Sequence, residues 1–197
     1  FDFGKVLVDY EYFETLDQIF KTHEQAEEFY HLLIDGKWNE NMDRGDSFKE
    51  TFCKMQQIMP QYKEEIATVG QRFNEFVRGE KEGMRTLLIQ LKAEGYHLYG
   101  LSNWCTKVHE TMAQYPIFQL LEGQVISSEE KIIKPDRAIY ERICQKYNLK
   151  PEECLFADDR IENVEAAQRF GMQAICFEDA AQYERELRKN LSEERTK

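Results

Sequence analysis

Six residues of this sequence have side chains that could act together on one substrate: carboxylates, a lysine and a hydroxyl–amide pair. They are Asp2, Ser102, Asn103, Lys134, Asp158 and Asp159. Carboxylates held close together repel one another unless a cation offsets their charge, and a few hard oxygen ligands suit Mg²⁺. A lysine can hold phosphate oxygens by its point charge, while a serine hydroxyl and an asparagine amide supply directional hydrogen bonds. If the chain brings these residues together, they form a phosphate site that faces a carboxylate.

The second half of the chain alternates between helical and strand patterns. Helical apolar spacing and short apolar runs predict both kinds of element from about residue 83 onwards. The predicted helices cover about 84–95, 104–114, 135–147, 161–170 and 183–191, and the predicted strands 96–101, 123–127, 155–157 and 173–177. This alternation indicates parallel strands joined by crossover helices on both faces of a sheet. Residues 1–3 are predicted to end the first strand.

Residues from about 12 to 79 have a different pattern, with helical periodicity and no strand-like run. Four apolar stripes predict four helices of modest length. The stripes are Phe13, Leu16, Ile19 and Phe20; Phe29, Leu32 and Leu33; Phe48, Phe52, Met55 and Met59; and Ile66, Val69, Phe73, Phe76 and Val77. Ser47 and Glu50 have the spacing of a capping box at the start of the third helix. The segment is therefore predicted to be an all-helical insert.

The fold class expected from the two patterns is α/β: a doubly wound, Rossmann-like parallel sheet with an inserted all-helical cap. We assign residues 1–11 and 80–197 to the core and residues 12–79 to the cap. In such sheets, ligands bind beyond the carboxyl ends of the strands. Since the six residues follow predicted strands, we expect the sheet to bring them to one edge.

The same residues lie in four segments that resemble the motifs of the haloacid dehalogenase superfamily, in the order that the family has them. Residues 1–9, Phe-Asp-Phe-Gly-Lys-Val-Leu-Val-Asp, are similar to its first motif, and residues 101–103, Leu-Ser-Asn, to its second. Lys134-Pro135 resembles the third motif, and Phe-Ala-Asp-Asp at 156–159, with Asn163, the fourth. The resemblance covers the whole core, and the insert lies where the family's class-1 helical cap lies.

The resemblance implies a phosphatase that depends on Mg²⁺ and uses Asp2 as its nucleophile, with a transient aspartyl-phosphate. It implies that Ser102 and Lys134 bind the transferring phosphoryl group and that Asn103 contacts the substrate. Phosphoryl transfer depends mainly on positioning and charge stabilisation, which residues of these types can supply.

The resemblance also implies a Mg²⁺ site made of Asp2, the backbone carbonyl of Gly4, Asp159 and, as a ligand or an outer partner, Asp158. Gly4 is at the same time a departure, because most phosphatases of the family have a second aspartate there that protonates the leaving oxygen. General acid–base assistance is worth roughly 10²–10⁴-fold in rate. Three outcomes stay open: another acid substitutes, for example one from the cap; the leaving group needs less help; or turnover is slow.

The Asp-x-Gly first motif resembles a subgroup that includes bacterial glucose-1-phosphate phosphatases and related small sugar-phosphate hydrolases. Residues 36–39 and 43–45 of the cap are similar to that subgroup as well. Facing the cleft, Trp38 could stack on a sugar ring and Arg44 could reach a polar group; the alternative is a buried aromatic and a solvated arginine. We expect a small phosphorylated metabolite as the substrate.

Composition limits the partners. The 197 residues include 37 acidic and 26 basic ones, for a net charge of −11. Such a charge disfavours polyanions, so we expect neither a nucleic-acid nor a membrane partner. No run approaches the ~20 apolar residues that span a bilayer, and no leader pattern is present, so we expect a cytoplasmic protein, monomeric or weakly dimeric. The five cysteines have no C-x-x-C spacing and predict neither disulfides nor a zinc site.

Two other functions fit parts of the sequence. A 2-haloacid dehalogenase releases halide without protonating it, so Gly4 would be no handicap. Dehalogenases of this fold work without metal, however, and have no use for the pair Asp158 and Asp159. A non-catalytic relative that binds a phosphorylated metabolite or a protein would explain the lost acid. It would leave Asp2 and Lys134 without an evident use.

Overall fold

The computed structural model describes the backbone of residues 1–194 and the side chains of residues 1–190. Its strands are β1 Val8–Tyr10, β2 Val77–Glu80, β3 Tyr99–Ser102, β4 Gly123–Ile126, β5 Leu155–Asp158 and β6 Gln173–Cys176. Its α-helices are α1 Phe13–Ile19, α2 His23–Asp35, α3 Trp38–Asp43, α4 Phe48–Ile58, α5 Lys63–Gln71, α6 Met84–Ala93, α7 Val108–Gln114, α8 Ser127–Glu130, α9 Arg137–Tyr147, α10 Ile161–Phe170 and α11 Ala180–Glu194. Short 3₁₀ helices cover Pro60–Tyr62, Phe73–Phe76, Pro116–Leu120 and Pro151–Glu153.

Two pairs of parallel strands form the centre of the molecule, β3 with β4 and β5 with β6. Residues 1 and 2 lie between the pairs. The Phe1 nitrogen donates to the carbonyl of Tyr99 (2.9 Å), and the Phe1 carbonyl accepts from the N–H of Leu101 (2.9 Å). On the other side, the N–H of Asp2 donates to the carbonyl of Ala157 (2.9 Å). The strand predicted for residues 1–3 is present only as this short link, which sets the order β4, β3, link, β5, β6.

Strand side chains alternate between two apolar clusters, one on each face of the sheet, as the period of a strand requires. Leu101, Val125 and Phe156 pack with α9 and α10. Ile126, Ala157 and Ile175 belong to the larger cluster, which includes α6, the start of α11 and the insert. Helices therefore cover both faces, which confirms the predicted doubly wound α/β class.

Some predicted boundaries are displaced. The strand predicted at 96–101 is β3 and begins at Tyr99, and the helix predicted at 104–114 is α7 and begins at Val108. A physical reason for the second shift is that the N–H of Trp104 donates to Ser127 Oγ (3.0 Å), which holds residue 104 in the loop after β3. Within residues 1–194, no helix combines the length and apolarity that crossing a bilayer requires.

The insert is helical, but its details differ from the prediction. Between residues 12 and 79, all of which the structure describes, there are five α-helices, α1 to α5, rather than four. The expectation of no strand is wrong at residues 77–79, because β2 pairs antiparallel with β1, Tyr10 opposite Val77. Val77 extends an apolar stripe whose spacing is typical of a helix. Only its pairing with the distant Tyr10 places it in a strand. The division of the chain into core and cap stays a prediction, and β2 crosses the second proposed boundary.

Aromatic packing holds the insert together. The ring centroids of Phe20 and Phe29 are 5.4 Å apart, those of Phe48 and Phe52 are 4.5 Å apart, and Phe73 meets Phe48 edge-on at 5.0 Å. The predicted start of α4 is present, since Ser47 Oγ accepts a hydrogen bond from the N–H of residue 50 (3.3 Å).

The packing of β3 against the link gives a first prediction. A methyl group at Gly100 would overlap the buried ring of Phe3, which also packs edge-on against Phe118. We expect Gly100→Ala to lower the free energy of unfolding in urea by about 1–3 kcal/mol, the usual cost of overpacking. Combining it with Phe3→Leu should cost less than the sum of the two single changes, since the smaller side chain removes the clash. Additive losses would contradict this account of the position.

Candidate active site at the carboxyl edge of the sheet

Asp2 occupies the centre of the carboxyl edge and is buried. Three donors converge on its Oδ1: the hydroxyl of Ser102 (2.8 Å), the N–H of Phe3 (2.7 Å) and the ammonium of Lys134 (2.9 Å). None of these bonds involves Oδ2. Burial raises the pKa of Asp2 to about 6, with the charge of Lys134 opposing the rise and that of Asp158 adding to it. At neutral pH the group is therefore largely a carboxylate, with one oxygen fixed and the other outside these bonds.

Lys134 joins two buried carboxylates. Its Nζ lies 2.9 Å from Asp2 Oδ1 and 2.6 Å from Asp158 Oδ2, and only 1% of its side chain is exposed. Burial lowers the pKa of Lys134, but the charges of Asp2 and Asp158 outweigh it and raise the pKa above its usual value. A permanently charged lysine at this point is what a phosphoryl-binding group needs.

Asp158 is fixed on both sides. Its Oδ2 accepts from Lys134, while its Oδ1 accepts from the side-chain amide of Asn163 (2.9 Å) and from the N–H of Arg160 (2.9 Å). The side chain is fully buried. Each oxygen thus already has protein partners, and we interpret Asp158 as a residue that positions Lys134.

The acidic group at this edge fits a divalent cation. Asp2, Asp158 and Asp159 each place a carboxylate oxygen so that all three lie within 4.8 Å of one another. Lys134 offsets one of the three negative charges, which leaves two for a cation to balance. Burial and the charge of Asp158 raise the pKa of the half-buried Asp159, as expected of a carboxylate whose repulsion is not fully relieved. Hard oxygen donors in small number suit Mg²⁺.

Asn103 clamps the backbone of Lys134. Its amide nitrogen donates to the Lys134 carbonyl (2.9 Å), and its amide oxygen accepts from the Lys134 N–H (2.8 Å). Both polar atoms of the side chain are therefore engaged. The predicted contact of Asn103 with substrate stays a prediction, and its observed contacts instead hold the lysine in place.

Gly4 lies in a tight loop just after Asp2. The N–H groups of Val6, Leu7 and Val8 all point to the Phe3 carbonyl, and Lys5 adopts the left-handed conformation with φ 60°. This loop returns the chain to β1 within a few residues. The backbone of Gly4 is thus held close to Asp2, and the predicted role of its carbonyl as a metal ligand stays a prediction.

The two cap residues proposed to bind substrate have other contacts. Arg44 lies between Glu40 (3.2 Å) and Asp136 (3.4 Å), so it bridges α3 and the start of α9. Trp38 is half-buried and packs against the main apolar cluster. Their roles toward a substrate stay predictions.

Sequence reasoning did not single out one further residue that lies at this edge, Asp43. Its carboxyl is near enough to Asp2 and Lys134 for both charges to act on its pKa. Residues 43–45 were noted in the sequence because of Arg44 and not because of Asp43. No local pattern shows which way the last side chain of a short helix points. In the sequence, Asn163 was noted only as part of the fourth motif. In the structure its side-chain amide donates to Asp158 and helps to hold that carboxylate in place.

Comparison with known proteins identifies the family. The sequence model of the haloacid dehalogenase-like hydrolase family matches residues 1–171, and the chain belongs to this family. It is 32% identical over 106 residues to a sesquiterpene phosphatase of Aspergillus oryzae, covering 53% of this chain and 54% of the relative. It is 27% identical over 106 residues to a chloroplast flavin mononucleotide hydrolase of Arabidopsis thaliana, covering 54% and 43%. The matches thus span about half the length of these curated relatives.

Solved structures share the fold. A family enzyme from Bacteroides thetaiotaomicron, in complex with magnesium and inorganic phosphate, superposes with a TM-score of 0.73 at 21% identity, covering 91% of this chain and 92% of the other. The L-2-haloacid dehalogenase of Xanthobacter autotrophicus superposes with a TM-score of 0.67 at 14% identity, covering 88% and 74%. At these identities the likeness concerns the fold alone.

The lysine bridge gives a second prediction. Lys134→Met leaves two buried carboxylates without their counter-charge, and breaking a buried ion pair from one side costs about 3–5 kcal/mol. Without the lysine, the pKa of Asp2 rises further above its ordinary 3.8. Unfolding then releases protons that the folded variant binds and the folded wild type has already lost, so the stability loss relative to the wild type should grow as the pH rises above about 6, the pKa of Asp2 in the wild type.

Urea unfolding in the presence of chelator measures this. Lys81→Met is the matched control, because Lys81 pairs with the half-exposed Asp9 at 2.9 Å. It should cost no more than about 1 kcal/mol. A loss for Lys134→Met that is small, or that shrinks as the pH rises, would contradict the assigned electrostatics.

Proposed function

We propose that this protein is a magnesium-dependent phosphatase that hydrolyses a small phosphorylated metabolite through an aspartyl-phosphate on Asp2. The observation that carries the proposal is the buried bridge of Lys134 between Asp2 and Asp158, with the Ser102 hydroxyl on Asp2 and the Asp159 carboxylate close to both aspartates. This arrangement brings a carboxylate, an ammonium and a hydroxyl donor around one point, and these are the groups that an aspartyl-phosphate mechanism needs. The phosphatases among the relatives support the same reading.

Each residue would have a separate role in the reaction. The oxygen of Asp2 outside the three hydrogen bonds, Oδ2, attacks phosphorus in line with the leaving oxygen. Lys134 and Ser102 hold the oxygens of the transferring group, and preorganised donors of this kind stabilise charge without reorganising. A water molecule then hydrolyses the aspartyl-phosphate and restores Asp2.

We propose that Asp2, the Gly4 carbonyl and Asp159 bind Mg²⁺, with Asp158 as an outer partner because both of its oxygens already have protein donors. The cation would supply positive charge that lets an anionic phosphate approach an anionic carboxylate.

The dehalogenase alternative has less support. Halide release needs no cation, so it gives no use for the half-buried Asp159 beside two other carboxylates. A non-catalytic binding role also leaves unexplained why Asp2 keeps one oxygen outside its hydrogen bonds.

Substrate choice is the finer part of the proposal: the net charge of −11 fits a small substrate rather than a polyanion, and a sugar phosphate is one candidate. We place the activity in the cytoplasm.

The proposal predicts metal-dependent and Asp2-dependent release of phosphate. A panel of sugar phosphates and an aryl phosphate is incubated with Mg²⁺ or with EDTA. We expect release by the wild type only with Mg²⁺, and a loss of about 10³-fold or more in Asp2→Asn, as removal of a nucleophile typically causes. Asp9→Asn is the matched control, since Asp9 lies in the same segment but pairs with Lys81. Turnover that persists in EDTA or in Asp2→Asn would rule the mechanism out.

A further inference from the structure

The first motif has no acidic side chain at Gly4, and crowding does not explain the absence. A methyl group at this position would meet the ring of Trp104 at 3.9 Å, which is ordinary van der Waals contact. An alkoxide is a poor leaving group, so its departure from phosphorus needs a proton donor. If the protein hydrolyses alkyl phosphates, the donor has to come from another part of the chain.

Asp43 is the last residue of α3, and the turn after it lies against the loop that carries Lys134. Arg44 pairs with Asp136 at 3.4 Å. Gly45 packs against the carbonyl of Ser128 and the side chain of Lys131. The partners in these two contacts lie on either side of Lys134 in sequence, at residues 128–131 and at residue 136. The contacts thus hold this end of α3 over the carboxyl edge of the sheet.

The surroundings of Asp43 overlap with those of Gly4. The charge of Asp43 acts on Tyr10, Tyr12 and Cys105. The ring of Tyr10 meets the ring of Trp104 edge-on at 5.5 Å, and Trp104 is the residue that borders Gly4. Tyr10 and Trp104 thus connect the surroundings of the Asp43 carboxyl with the position where the first motif lacks an acid.

The carboxyl of Asp43 is also held in one orientation. The side-chain amide of Asn39, one turn earlier in α3, donates to Asp43 Oδ2 at 3.2 Å. Oδ1 does not take part in that bond. A carboxyl fixed through one oxygen can present the other to a substrate.

We propose that Asp43 is the general acid and base of the reaction, supplied by the helical insert in place of the missing acid at Gly4. The inference rests on the proposed phosphatase function and extends it. It assigns to α3 a part in the chemistry as well as in substrate choice.

The proton balance closes over the two steps. In the first, a bond forms between Asp2 Oδ2 and phosphorus, the bond from phosphorus to the leaving oxygen breaks, and that oxygen takes the Asp43 proton and departs as an alcohol. In the second, water attacks phosphorus, Asp43 accepts a proton from the water, and the bond from Asp2 to phosphorus breaks. Phosphate leaves, and Asp43 is protonated again.

The charges around Asp43 agree with this role. Burial raises its pKa to about 8, and the negative charges of Asp2 and Glu40 act in the same direction. The positive charges of Lys134 and Arg160 oppose them. The remaining groups whose pKa values its charge affects, Tyr10, Tyr12 and Cys105, are ordinarily neutral at pH 7, and burial raises their pKa values further. Burial and the nearby negative charges thus favour the protonated form of Asp43, which is the form that a donor needs.

The test compares two leaving groups in Asp43→Asn. With Mg²⁺, kcat/KM is measured for an alkyl phosphate such as glycerol phosphate or a sugar phosphate, and for 4-nitrophenyl phosphate, whose nitrophenolate leaves without a proton. Because kcat/KM reports the steps up to the first bond cleavage, we expect a loss of about 10²–10⁴-fold for the alkyl phosphate and a much smaller loss for the aryl phosphate. Asp46→Asn, the same change at an exposed position three residues on, is the matched control and should alter neither value.

The outcomes separate the two proposals. Equal losses on both substrates would make Asp43 a merely structural residue and overturn the inference, as would no loss on either. If the wild type itself hydrolyses neither substrate, the phosphatase function fails and the inference fails with it. Adding Gly4→Asp to Asp43→Asn supplies an acid where a side chain has room, and recovery of alkyl phosphate turnover supports the missing-acid account.

Discussion

The double ion pair of Lys134 is the interaction on which the rest of the site depends. Two buried carboxylates side by side would repel each other strongly, and Lys134, itself buried, is the cation placed between them. The bridge joins three distant parts of the chain, the link before β1, the loop before α9 and the end of β5. Removing charges from water is costly, and only close geometry and further hydrogen bonds offset that cost. Asn103 and Asn163 supply those bonds, so the clamp and the bridge form one unit.

The sheet explains why Asp2, the proposed nucleophile, is so firmly placed. Asp2 and the residue before it are hydrogen-bonded through their backbone to β3 on one side and β5 on the other. The position of the carboxylate is thus set by main-chain bonds at the centre of the molecule, and its orientation by three donors. Sites built on rigid elements in this way hold their geometry better than sites on loops.

The insert complements this rigid edge with a weaker attachment. The bridge from Arg44 to Asp136 is exposed, and such pairs contribute only ~0–1 kcal/mol. Met42, buried in α3, and Gly45, packed on Ser128, do more to keep this end of the insert in place. The fold therefore separates two tasks: the sheet fixes the charges around Asp2, and the insert lies over the same edge, where we propose that it meets the rest of the substrate.

The sequence by itself determined the alternation of helices and strands, the α/β class and the set of polar residues at the strand ends, because apolar periodicity and motif order are local properties of the chain. Only the tertiary structure decided the pairing of Val77 with Tyr10, the clamp of Asn103 on Lys134 and the place of Asp43. Each of these depends on a partner far away in sequence, and the electrostatic environment of a carboxyl is the sum of burial and charges from several elements. Residue types can therefore indicate which chemistry is available, while the fold decides which side chains share it.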